Sequence, residues 1–199
     1  MDPIRMGVVG CGAIAQVHHM PNLHDLPDHF TVTAVCDVSP GAAAFVARKF
    51  NVPNHFTDYR DLLASDVEAV LLCQSDPKTE VAVAALDAGK HLFIEKPMCF
   101  SLQEADAIIA ARQRAGVVGQ VGYMKVYDPA YEYGKQAVAG MSNIRFVQVN
   151  HLHPNNDLHM RQFDVRRFSD LPASVMAETR AARERARREA IGDVPLYVE

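Results

Sequence analysis

Apolar residues along this chain gather in short blocks, and glycine, proline and polar stretches separate them. "IRMGVV" (4–9) predicts a short buried strand, and the "GCGAIAQVHH" after it turns and becomes helix. "FTVTAVCD" (30–37) predicts a second strand, closed by an acid. Ser39 and Pro40 read as the cap and first-turn proline of a helix through "GAAAFVARKF". "VEAVLLC" (67–73) is an apolar run of the kind covered on both faces of a parallel sheet. Asp76 and Pro77 repeat the cap-and-proline signal, and Gly89 is a natural left-handed stop for the helix between. "HLFIE" is the next strand. Ser101 and Glu104 form a capping box for "SLQEADAIIAARQRA", Gly116 ends that helix, and "VVGQVGY" (117–123) is a further strand.

Strands separated by helices predict βαβ units, which right-handed crossovers wind into a parallel sheet with helices on both faces. Residues 1–122 are therefore expected to form a doubly wound α/β domain of Rossmann type. Beyond Asp128 the alternation fades. A helix at about 128–140 precedes a predicted strand, "NIRFVQVNHLH" (143–153), and a loop rich in His and Asn. The last helix, "PASVMAETRAARERARREAIG", carries five arginines among three glutamates and reads as a solvated face with i,i+4 Glu–Arg pairs. Residues 123–199 are expected to be a short, partial α+β second domain.

Bulk properties narrow the function. A chain of 199 residues, 49% apolar and 22% charged, suits a soluble globular protein with one sizeable core. A net charge of −4 leaves no broad basic surface for nucleic acid. No apolar run approaches the roughly 20 residues of a membrane helix. The start is too short and too acidic for a secretory signal. Cys11, Cys36, Cys73 and Cys99 lack CxxC spacing, so reduced thiols in a cytoplasmic protein are expected.

The first chemical signal is Gly10-x-Gly12-x-x-Ala15, with Ala13 and Ile14 opening the helix. Gly10 permits a tight strand-to-helix turn, Gly12 lets backbone approach a pyrophosphate, and Ala15 allows close helix–strand packing. Asp37 closes the second strand 22 residues after Ala15, where a carboxylate can bind ribose hydroxyls. It would repel a 2′-phosphate, and "DVSPG" supplies no adjacent arginine, so NAD is expected over NADP. A helix-start charge is a compatible role for the same residue.

The second signal is Glu95-Lys96-Pro97. In open α/β sheets ligands sit beyond the carboxyl ends of the strands, and Lys96 lies at such an end. A lysine near an oxidised nicotinamide and partly buried is pushed toward its neutral form, where it can exchange a proton. Glu95 would orient or balance that amine, and Pro97 would fix the backbone, through a cis or a trans bond. An exposed Lys-Pro turn before a helix is the competing reading.

Together, Gly10–Ala15, Asp37, "DAGKHLFIEKPM" (87–98) and "VGYMKVYDPAY" (121–131) resemble the glucose–fructose oxidoreductase, inositol dehydrogenase and rhizopine-catabolism family (Gfo/Idh/MocA), over roughly residues 4–150. The resemblance implies hydride transfer between a nicotinamide cofactor and a sugar or polyol, in a homo-oligomer joined through a second-domain sheet. It implies a catalytic role for Lys96, with Glu95 and Pro97 shaping the nicotinamide pocket. Lys125 falls where many relatives carry a basic residue, as a substrate contact or a surface lysine.

Two features depart from the family. Where relatives show T-P-N-x-x-H, this chain has "QSDPKT" (74–79), so cofactor contacts at Ser75 and Asp76 would run through backbone groups. The family's D-x-x-x-H segment is not evident. The nearby candidates are His151, His153, Asp157 and His159. His151 and His153 share a strand face by the two-residue period. Cleft lining, exposed loop and metal binding all remain open for them, and no metal centre is assigned. The short second part fits a truncated form, an unusually small domain, or one completed by another subunit. An NAD(P)-dependent oxidoreductase acting on CH–OH groups is the expected function. A nucleotide-binding sensor or regulatory subunit without turnover is its rival.

Overall fold

A computed structural model of the chain describes residues 2–75, 77–150, 152, 155, 158, 160–171 and 173–192. Its sheet comprises β1 (Ile4–Val9), β2 (Phe30–Cys36), β3 (Asn54–Phe56), β4 (Ala69–Leu72), β5 (His91–Ile94) and β6 (Gly119–Val121). All pairings are parallel, in the order β3-β2-β1-β4-β5-β6. The chain winds one way from β1 to β3 and the other way from β4 to β6. The carboxyl ends of β1 and β4 therefore flank a topological switch point, where such sheets take ligands.

The helices follow from local signals and from which sheet face each must cover. A π-helical turn (Ala15–His19) runs into α1 (Met20–His24), and α2 is Pro40–Lys49. Then come α3 (Tyr59–Ala64), α4 (Thr79–Asp87) and α5 (Leu102–Ala115). The two-residue period divides the β4 run between two cores. Ala69 and Leu71 join Met6, Val8, Val35, Met20 and Val46 under α1 and α2. Val70 and Leu72 join Leu62, Ala82, Leu86 and Ile108 under α3, α4 and α5. Burial on both faces explains why this strand reads as apolar throughout.

Several helix ends match their signals. Ser39 Oγ accepts the Ala42 amide at 3.0 Å, with Pro40 at the first helical position. Ser101 and Glu104 form the reciprocal capping box, and Gly89 and Gly116 stand at φ 72° and 68°. Around the sheet, the sequence does not predict β3, a three-residue edge strand without buried residues, or α3, capped by Asp58. The cap-and-proline reading at Asp76 and Pro77 needs correction. The helix begins at Thr79 with Lys78 at the N-cap, two residues past Pro77, and Asp76 lies outside the described residues.

Contacts group the residues up to Val121 with those from Val165 onward, and Gly122–Asp164 form a second compact unit. By sequence, everything after residue 122 falls in one second domain. In the structure, Val165–Asp170 and α7 (Ala173–Ile191) belong with the sheet. Gln16 bonds the Arg166 backbone, Phe168 packs on Phe45 with ring centroids 5.7 Å apart, and Asp170 bonds the start of α2. In α7, Glu184 meets Arg187 at 2.7 Å and Arg188 at 3.0 Å, the pairing expected of that helix. The second unit holds a 3-10 turn (Met124–Tyr127) and α6 (Pro129–Ala139), and no strand among its described residues. The strand predicted from 143 is not formed through 150. Ile144, Phe146, Val147 and Val149 are exposed, and no strand among the described residues pairs with their backbone.

Candidate functional site

Gly10 ends β1 at φ +97°, and a Cβ there would stand 2.4 Å from the Gln74 amide nitrogen and 2.7 Å from the Cys73 carbonyl carbon. The crowding is between the chain ends beyond β1 and β4, so glycine is required by both conformation and space. Gly12 is different. A Cβ built on it meets nothing within 4 Å, so the protein's own packing does not need a glycine there. The space left open above the turn fits a group that must approach the backbone, as a pyrophosphate does at a helix start. Ala15 is fully buried between helix and sheet.

Asp37 follows β2 and ties this corner together. Its Oδ2 accepts the Cys11 amide at 2.8 Å and its Oδ1 the Ser39 amide at 2.9 Å. A carboxylate has about four acceptor positions, so it can hold the glycine turn to the start of α2 and still take ribose hydroxyls. The helix-start role and the cofactor role are thus compatible in geometry.

β5 delivers Glu95, Lys96 and Pro97 to the same rim. The Glu95 amide donates to Leu72 O at 2.9 Å, and the Lys96–Pro97 peptide bond is cis. Glu95 Oε1 lies 2.7 Å from His19 Nε2, and Oε2 accepts the Lys96 amide at 3.0 Å. The carboxylate is engaged by His19 and by backbone, so its hold on Lys96 runs through the main chain. Lys78, only 3% exposed, donates its ammonium to Glu95 O at 2.7 Å and to Pro97 O at 2.5 Å. Lys96 is exposed. It lines a cavity of about 740 Å³ with Ile14, Ser75, Lys78 and Glu95, and with Arg183 and Arg187 of α7. Cys73 forms part of that wall, and burial pushes its thiol well above the usual range.

The predicted residues therefore converge in part. Ile14, Ser75, Glu95 and Lys96 meet at the cavity, Gly10, Gly12, Ala13 and Ala15 form the adjoining turn, and Asp37 bonds that turn from the end of β2. Lys125 lies exposed on the 3-10 turn of the second unit. Asp76, His151, His153, Asp157 and His159 lie outside the described residues. Sequence reasoning passed over His19, Lys78, Gln16 and Asp170. Lys78 had a usable signal, a lysine just ahead of an otherwise apolar helix. The other three had none, because their partners are remote in sequence.

A parallel sheet wound in this order, a glycine turn at its switch point and an acid closing β2 define a nucleotide-binding Rossmann domain. Residues 4–123 match the family model described as "Oxidoreductase family, NAD-binding Rossmann fold", and the chain belongs to that family, Gfo/Idh/MocA. An inositol 2-dehydrogenase of Salmonella paratyphi B is 35% identical over 64% of this chain and 39% of its own. A crystal structure of scyllo-inositol dehydrogenase from Lactobacillus casei, with bound NAD(H) and scyllo-inositol, matches at TM-score 0.63 and 28% identity. That match covers 69% of this chain and 41% of the other. A 3-ketoreductase from Actinomadura kijaniata, in complex with TDP-benzene and NADP, also gives TM-score 0.63 and 28% identity, over 69% and 43%. The chain spans about two-fifths of the length of the inositol 2-dehydrogenase it matches. No helix among the described residues is long and apolar enough to cross a membrane.

Proposed function

We propose that the chain carries the cofactor half and the reactive lysine of an NAD-dependent oxidoreductase acting on a CH–OH group of a sugar or polyol. The observation that carries this reading is the meeting of Lys96 with Ile14 and Ser75 in one cavity, beside a glycine turn open to a ligand. The nicotinamide, when bound, takes up or supplies the hydride. Gly10–Ala15 present backbone amides to the pyrophosphate, Asp37 accepts from the ribose hydroxyls, and Ser75 and Pro97 border the nicotinamide. Lys96 Nζ holds the substrate oxygen and exchanges its proton, or stabilises the alkoxide as it forms. Glu95 positions Lys96 through its amide. A cyclic polyol is favoured by the inositol dehydrogenases among the relatives, and NAD over NADP by the carboxylate of Asp37.

The test is absorbance of the reduced cofactor, with NAD and a panel of inositols and sugars, on wild type and Lys96→Ala. Turnover that falls roughly 10²–10⁴-fold in the variant, with NAD binding retained, is expected. NAD binding without turnover in any case supports instead the non-catalytic sensor, which needs the same glycine turn and Asp37 but not Lys96. Failure to bind NAD at all removes both readings.

A further inference from the structure

We propose that Asp170, brought from the far end of the chain, is a second determinant of cofactor selectivity and excludes a 2′-phosphate from the start of α2. This rests on the reading that Asp37 faces the adenosine ribose. Four donors at that corner are already committed to the chain's own acceptors. The Ser39 amide donates to Asp37 Oδ1 at 2.9 Å, and the Ala42 amide donates to Ser39 Oγ at 3.0 Å. The Ser39 hydroxyl donates to Asp170 Oδ1, and the Gly41 amide to Asp170 Oδ2 at 2.7 Å. Two carboxylates thus bracket Ser39. Ribose hydroxyls can donate to them. A phosphate carrying a charge of about −1.5 to −2 is repelled by both carboxylates, and to reach the start of α2 it would have to take the Ser39 and Gly41 donors from Asp170.

The segment bearing Asp170 is anchored rather than resting on the surface. Gln16, 4% exposed, donates to Arg166 O and accepts the Arg166 amide, each at 3.0 Å. At the other end, a Cβ on Gly41 would meet Asp170 Oδ2 at 2.7 Å and Phe168 Cδ1 at 2.8 Å, so the segment lies flush against α2. The bonds from the Ser39 hydroxyl and the Gly41 amide hold the Asp170 carboxyl below the usual carboxylate range, which keeps it charged at neutral pH. Arg166 stacks over Phe45 and Phe168, at 5.7 and 5.9 Å to the ring centroids.

Dissociation constants for NAD and NADP, measured by calorimetry on wild type, Asp170→Asn and Asp170→Ser, test the assignment. The ratio of NADP to NAD affinity is expected to rise about tenfold in both variants. In wild type the same ratio is expected to rise with added salt, because screening weakens repulsion at an exposed corner. That measurement needs no variant to fold. An unchanged ratio in variants that still bind NAD overturns the assignment, as does equal weakening of both cofactors, which would leave Asp170 a tether only. A wild-type ratio that falls with salt overturns it too, since the corner would then be attractive. Wild type that binds neither cofactor instead overturns the cofactor reading beneath it.

Discussion

His19 Nε2 and Glu95 Oε1 stand 2.7 Å apart, with side chains only 18% and 16% exposed. One residue comes from the π-helical turn after β1 and the other from the end of β5. The ring also packs edge-on to Phe93, with centroids 5.9 Å apart. Because the second oxygen of Glu95 accepts the Lys96 amide, the proposed function makes His19 a positioning residue for Lys96. His19→Ala is expected to cost about 1–2 kcal/mol of stability, by leaving a largely buried carboxylate short of a donor. It should lower kcat about tenfold with little change in the KM for NAD, since a reactive group slightly misplaced loses rate before binding. His19→Gln, which keeps a donor, should recover part of both. Equal kcat in all three proteins would remove the positioning role.

Lys78 is expected to be the larger structural determinant of the Glu95–Pro97 turn. Its ammonium serves two carbonyls from a site only 3% exposed. Lys78→Met keeps the length of the chain and removes both donors, for an expected loss of about 3 kcal/mol in urea unfolding. A loss below about 1 kcal/mol would mean that water replaces the ammonium there.

The two glycines of the turn are expected to fail differently. Gly10→Ala forces a Cβ into the backbone of Gln74 at a positive φ, so a loss on the order of 4 kcal/mol and a lowered Tm are expected. Gly12→Ala meets no protein atom within 4 Å. Its Tm should match wild type, while NAD affinity is expected to fall at least about tenfold if, as proposed, the pyrophosphate approaches the backbone there. Full NAD affinity in Gly12→Ala would count against the placement of the pyrophosphate.

Buried thiols predict a loss of stability in alkali. Burial, with the negative charge of Asp37 adding to it, pushes the thiols of Cys11 and Cys36 up, Cys36 to about 12. An unfolded cysteine ionises near roughly pH 8.5. Below that pH both states keep the proton and stability is full. As pH rises further, only the unfolded state releases it, so unfolding becomes easier by about 1.4 kcal/mol per pH unit for each such thiol. Urea unfolding at pH 7.5 and 9.5 checks this, and equal midpoints would refute it. Under native conditions Cys99, the one cysteine that is not buried, should be the first to react with a thiol reagent.

The sequence by itself determined what depends on residues close together or on a fixed period. Burial of β4 on both faces, the Ser39 cap, the Ser101–Glu104 box and the left-handed Gly89 and Gly116 are all consequences of neighbours within a few positions. The glycine turn, Asp37 and the Glu95–Pro97 cluster were legible for the same reason, since each is a local pattern at a strand end. β3 and α3 escaped because an edge strand of three residues without buried side chains leaves no periodic trace. The strand read at 143–153 shows the converse. Apolar residues in that stretch do not form a strand through residue 150, because a strand needs partners for its backbone and no described strand pairs with it.

What only the tertiary structure decided are contacts across long separations. His19 meets Glu95 from 76 residues away, Ser39 meets Asp170 from 131, and Gln16 meets Arg166 from 150. No local propensity encodes such pairs. Packing of the helices on the sheet sets His19 and Glu95 together, and the return of the chain over α2 brings a second carboxylate to the corner that Asp37 already occupies.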